Sequence, residues 1–167
     1  MRRTIAATLT VTALALGPAA ATAAAPQKIT FSGVGQVKLG MTFQQLRAKH
    51  LVGKLRKGCE LAGPNARSAR LRSPLRGTVN FTQTSPRKAE NVTITGGAEA
   101  RGVGIGDKLA DIKAKFPKRK VDHSQEGVFG LTFVFVRKKS NPKLMFAIDV
   151  NTKKITAIGV PIIAVCE

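Results

Sequence analysis

The sequence predicts an α+β protein of two tandem repeats, each a short helix followed by an antiparallel β-meander. Three observations carry that expectation. The stretch QVKLGMTFQQLRAKH, 36–50, returns sixty-six residues later in degenerate form as GVGIGDKLADIKAKF, 102–116. After each copy the apolar pattern changes from helical spacing to period two. Gly, Pro, Asn and Asp punctuate the period-two runs where hairpin turns are needed.

The first 25 residues read as a secretory leader. Arg2 and Arg3 form a positive start, Ile5 to Leu16 is a 12-residue apolar run, and Gly17-Pro18 breaks it before AAATAAA, with cleavage expected after Ala23. The run is too short to cross a bilayer, which takes about 20 residues. About 143 residues remain, a single domain of ordinary size or two small packed units. The division expected is 26–99 for the first repeat and 100–167 for the second.

Within each repeat the elements follow from local chemistry. Val37 and Leu39 precede Gly40 as Val103 and Ile105 precede Gly106. Thr42 with Gln45 makes a capping box for the first helix, and Asp107 is the expected cap of the second. Phe43, Leu46 and His50/Leu51 then recur at helical spacing, as do Leu109, Ile112 and Phe116. This puts His50 on the apolar side of the first helix, partly buried. Gly53 and Pro117 are the expected stops. Strands are expected over 77–83 and 90–95, with a further one over 67–72. In the second half the alternation of Leu131, Phe133 and Phe135, then of Leu144, Phe146 and Ile148, predicts two more strands. A turn at Asn151-Thr152-Lys153 leads to a last strand over 155–160.

The segment QVKLGMTFQQL resembles the helix-entry signature of the secreted β-lactamase inhibitory proteins, and more distantly that of the small SmpA/OmlA-type outer-membrane-assembly lipoproteins. The resemblance implies tandem repeats of a helical segment and a four-stranded antiparallel sheet, forming one curved sheet with a concave binding face. It also implies a secreted location and an inhibitor-like, protein-binding role.

Charge narrows the partners. The chain holds 28 Lys and Arg against 9 Asp and Glu, and loss of the two leader arginines leaves a net charge of +17. Such a balance favours an anionic partner, an acidic envelope polymer or an acidic protein, unless it serves only solubility. Stacking aromatics are scarce, with no Trp or Tyr, which disfavours sequence-specific nucleic-acid recognition. No mature segment is apolar enough to span a membrane. Oligomeric state has no signature.

Catalysis has no visible constellation, so no catalytic residue is assigned and no enzyme is expected. Asp122-His123-Ser124 are consecutive and do not converge as a triad does. Gly102, Gly104 and Gly106 lack the third glycine of a dinucleotide fingerprint at the right place and any P-loop Lys. No cofactor is expected, and no metal-ligand spacing appears. Cys59 and Cys166, an even pair in an exported chain, read as a disulfide, worth roughly 4–5 kcal/mol on the chain-entropy model. Two binding surfaces are expected. The first is anion-binding: Arg47, Lys49, Arg67, Arg70, Arg72 and Arg76, in a stretch whose only acid is Glu60. The second is a flat polar sheet face of Thr78, Asn80, Thr82, Asn91, Thr93 and Thr95. Its ordinary explanation is the wet side of an antiparallel sheet.

Overall fold

A computed structural model describes residues 25–138 and 141–165. It is a mixed α+β fold of mostly strands, in two sheets, with few helices. The expected leader, 1–25, lies outside the described residues but for Ala25. Among those residues no helix is long and apolar enough to cross a membrane.

The chain opens with three short strands, β1 (Gln27–Thr30), β2 (Gly33–Val34) and β3 (Val37–Lys38). Helix α1 (Phe43–Ala48) follows, then β4 (Val52–Lys57), a 3-10 turn at Glu60–Ala62, β5 (Arg67–Leu71), β6 (Arg76–Phe81), β7 (Ala89–Gly96) and β8 (Ala98–Glu99). The remainder is α2 (Leu109–Lys115), β9 (Arg119–Asp122), α3 (Glu126–Phe129), β10 (Leu131–Lys138), β11 (Asn141–Asp149) and β12 (Ile155–Val160). The larger sheet has eight strands in the order β4-β5-β6-β7-β12-β11-β10-β9, every pairing antiparallel. The smaller runs β3-β2-β1-β8, with β1 and β8 parallel.

Helix α1 starts where its sequence requires. Thr42 Oγ1 accepts from Gln45 N at 3.2 Å, and Gln45 Oε1 accepts from Thr42 N at 2.9 Å. It ends sooner than expected. Lys49 is its C-cap, and His50 takes a left-handed φ of 56°, exposed rather than on the apolar face. Gly53 belongs to β4 and stops no helix. The start of α2 also differs from expectation. Lys108, not Asp107, is the N-cap, and its amide donates to Asp111 Oδ2 at 2.9 Å. Asp107 instead accepts from Gly104 N at 2.8 Å and closes the glycine-rich turn before the helix. Pro117 follows the C-cap residue Phe116, as predicted.

One face of the large sheet, both long helices and the small sheet share a single core. Leu46 and Ile112 contribute from the helices, Val34, Val37 and Ala98 from the small sheet, and Val79, Val92, Ile94, Val134, Phe146 and Ile158 from the large one. Phe43 meets Phe81 edge-on at 5.6 Å, and Phe116 meets Phe146 at 5.5 Å, so each helix seats one aromatic on the sheet. The opposite face holds a smaller cluster of Phe133, Met145 and Ala147. That is why β10 and β11 are apolar at successive positions and not only at alternate ones.

Two glycines permit close backbone approaches. Gly77, at φ 138°, lies beside a register shift between β6 and β7, where a β-carbon would stand 1.9 Å from Thr93 O. At Gly159 a β-carbon would meet the Ile162 carbonyl carbon at 2.3 Å, because residues 161–165 fold back over β12.

Candidate functional site

The β5–β6 hairpin carries three exposed arginines, Arg70, Arg72 and Arg76. Arg70 lies near the end of β5, the turn spans Arg72 to Leu75 with Leu75 N donating to Arg72 O at 3.1 Å, and Arg76 opens β6. Arg70 and Arg76 line one open cavity of about 640 Å³ together with Ser73, Pro74, Gly77 and Gly97. No acidic residue is among the described residues lining it. The Arg76 guanidinium lies over its cross-strand partner Gly96, where a β-carbon would stand 2.5 Å from Nε. Any larger residue at 96 would push the charge away from the cavity.

No protein-family model, curated protein or solved structure matches this chain.

The six basic residues expected to act together do not converge. Arg70 and Arg76 share the cavity. Arg72 is exposed but outside its lining, and its backbone N–H is spent on Leu51 O at 3.0 Å. Arg47 reaches Val52 O at 3.4 Å, and Lys49 is the exposed C-cap of α1. Arg67 turns its Nη1 onto Pro64 O and Ala66 O at 3.1 and 2.8 Å. Arginine is used repeatedly in this way. Arg87 donates to Asn65 O and Thr82 O, and Arg119 Nη1 to Lys113 O, Phe116 O and Pro117 O at the end of α2. With so few acids, guanidinium groups find carbonyls. Among the described residues the ion pairs are Lys57–Glu60 and His123–Glu126, both at 2.6 Å.

The polar sheet face is a correction in part. Thr78 pairs with Thr93 and Asn80 with Asn91 in register, so the four share one face as expected. The face is not an open wet surface, however. Asn91 and Thr93 are buried, Asn80 Nδ2 donates to Asn91 Oδ1 at 2.9 Å, and Thr93 Oγ1 is buried with no hydrogen-bond partner among the described residues. The cause lies in β12. Gly159 is the cross-strand neighbour of Thr93, and residues 161–163 roof it. Thr82 lies beyond β6 and closes the next turn, accepting from Lys88 N at 3.0 Å. Thr95 is exposed.

Cys166 lies outside the described residues. Cys59 Sγ is 3.7 Å from the carbonyl oxygen of Val165, the residue before it.

A polar cluster stands at α3, beginning in the Asp122-His123-Ser124 run. His123 Nδ1 is 2.6 Å from Glu126 Oε1, and Thr132 Oγ1 donates to the same oxygen. Ser124 takes no part. Its amide donates to Asp122 Oδ1 at 3.0 Å, and its hydroxyl accepts from Gln125 Nε2 at 3.3 Å. The i, i+3 spacing of His123 and Glu126 was the available signal. No group of three or more His, Cys, Asp or Glu among the described residues is placed to hold a metal ion.

Hydrogen bonds from Thr132 and then His123 hold the Glu126 carboxyl below the ordinary glutamate range. The stabilisation they give is therefore complete above that range, about 4.3, and is lost as pH falls through the lowered value. Acid titration followed by amide NMR is expected to release α3 from β10 at Glu126 and Thr132 before the core opens. Glu126→Gln should abolish that step. A transition that persists in this variant would assign it to another group.

Proposed function

We propose that the protein is a secreted, non-catalytic binding protein that engages an anionic cell-envelope polymer through the β5–β6 hairpin. The observation that carries this reading is the cavity shared by Arg70 and Arg76, open, flanked by glycine backbone and, among the described residues, unpaired by any acid. Two neighbouring exposed guanidinium groups suit successive phosphate or carboxylate groups of a polymer. The net charge adds long-range attraction.

The wider frame of the proposal is a duplicated chain, 26–99 and 100–167, behind a leader ending near residue 25. Features at an offset of sixty-six residues support it. Gly40 and Gly106 both have positive φ, Leu46 and Ile112 are both fully buried, and α1 and α2 begin at Phe43 and Leu109. Helix α1 precedes β4 to β7, and α2 precedes β9 to β12, which supports reading each half as a helix followed by strands. Cys59 is paired with Cys166 in this reading, supported by the arrival of Val165 beside Cys59. The alternative role, an enzyme-inhibitor-like sheet face, draws on one observation, the unsatisfied Thr93 hydroxyl beneath the C-terminal segment.

Retention on immobilised polyphosphate and on isolated envelopes across a salt series tests the proposal. The logarithm of affinity is expected to fall linearly with the logarithm of salt, and Arg70→Gln with Arg76→Gln should reduce the slope by about 2. Salt-resistant retention, or a slope unchanged in the double variant, would overturn it.

A further inference from the structure

A second cavity, remote from the hairpin, has a different chemistry. It measures about 270 Å³ and lies between the small sheet, the end of α2 and β11, lined by Ile29, Thr30, Phe31, Ala100, Arg101, Phe116 and Leu144. Ile29, Ala100, Phe116 and Leu144 are buried, so the walls are fixed by the main core. The Thr30 hydroxyl is already committed to Gly33 O at 3.1 Å. Among the described residues Arg101 is the one charged lining residue.

Arg101 is placed in an unusual way. With Gly102 it forms a two-residue turn closed by Ala100 N to Val103 O at 2.8 Å and Val103 N to Ala100 O at 3.0 Å. Its φ is 54° and that of Gly102 is 78°. Such turns favour Asn, Asp or Gly at the first position, and Arg there carries a backbone cost those residues would reduce or avoid. Its guanidinium stands 5.2 Å from the Phe116 ring centroid and makes a single 3.3 Å bond to Lys115 O. Arg119 serves the Lys113, Phe116 and Pro117 carbonyls at the end of α2, and Arg101 adds the Lys115 carbonyl, a bond that occupies one edge of its guanidinium. No carboxylate among the described residues pairs with Arg101.

We infer that this cavity binds a small apolar monocarboxylate, its hydrocarbon part against Ile29, Phe116 and Leu144 and its carboxylate on Arg101. An exposed guanidinium at the mouth of an apolar pocket matches a planar anion attached to an apolar body. The volume sets the size: at roughly 30 Å³ per water-sized group it admits about nine non-hydrogen atoms. The site is independent of the polymer-binding reading and uses none of its residues.

Titration of the full chain with octanoate, followed by amide NMR, tests the inference. Saturable shifts are expected at Ala100, Arg101 and Phe116, with octan-1-ol bound at least about tenfold more weakly. Arg101→Gly relieves the backbone at φ 54° and leaves the turn intact, yet it should weaken octanoate about tenfold or more without changing octan-1-ol. Arg101→Lys, which keeps the charge without the fork, should restore part of the loss. Absence of shifts at these residues, or equal octanoate affinity in Arg101→Gly, would overturn the assignment.

Discussion

Replacing Phe146 by Ala is expected to lower folding stability by about 3–5 kcal/mol, among the largest effects of any single side chain here. Phe146 is fully buried near the middle of β11, between Val134 on β10 and Ile158 on β12. Its ring also receives Phe116 from the end of α2 at 5.5 Å, so truncation removes sheet packing and helix docking together. Neighbours drawn from β10, β12 and α2 cannot all close on the space, and the cavity cost adds to the transfer cost. The chain has no Trp or Tyr, so urea unfolding is best followed by far-UV circular dichroism. With a urea slope of about 1–3 kcal/mol/M the midpoint should fall by more than about 1 M. Phe146→Leu, closer in volume, should recover much of the loss. A cost below about 1 kcal/mol for Phe146→Ala would contradict the packing described here.

Elements whose signals are local were readable in the sequence. The Thr42–Gln45 box placed the start of α1, and alternation of large apolar residues placed β10, β11 and β12. What was missed has physical reasons. Strands β4 and β9 are the two edges of the large sheet, and their Lys and Arg residues blur the period-two pattern. Charge on an edge discourages pairing with another chain, and it also conceals the strand. Strands β2, β3 and β8 have two residues each, too short to show a period. His50 was misplaced because the helix unwinds two residues before it, so the i, i+4 relation to Leu46 never forms.

The site was harder to read, for a related reason. Spacing gives the face of a backbone position but not the destination of a long side chain. Arg70, Arg72 and Arg76 stand at even separations, yet Arg70 and Arg76 line the cavity and Arg72 does not, because β5 ends at Leu71 and the even spacing runs across a turn. Arg101 was invisible as a ligand because its role depends on a turn conformation and on Phe116, fifteen residues away. The burial of Thr93 depends on a neighbour still more distant in sequence, Gly159 on β12, over which the following segment folds.

That segment is the subject of the second large expected effect. Gly159→Val should lift residues 161–165 from the sheet and lower stability by about 2–3 kcal/mol, with increased binding of an apolar dye. The new β-carbon would fall 2.3 Å from Ile162 C, 2.4 Å from Ile162 O and 2.4 Å from Ile163 N. All three are backbone atoms, so no rotamer change relieves the clash. Ile163 and Val165, half-buried against Phe133, Met145 and Ala147, would lose that cover, as would the 3.4 Å contact from Ile163 N to Met145 Sδ. Two half-buried aliphatic side chains, at about 1.5–3 kcal/mol for full burial of each, account for the magnitude. Gly53→Ala is the control. It is also a glycine within a strand, but its added β-carbon meets only Arg70 O at an ordinary 3.6 Å. It should be neutral or stabilising by about 0.4–1 kcal/mol, since Ala narrows the unfolded ensemble. Equal urea midpoints and dye binding for Gly159→Val and Gly53→Ala would mean that the segment is not seated on the sheet. A selective loss in Gly159→Val, with Thr93 becoming accessible, would show that the polar face is closed by its own chain and opens when that chain is displaced.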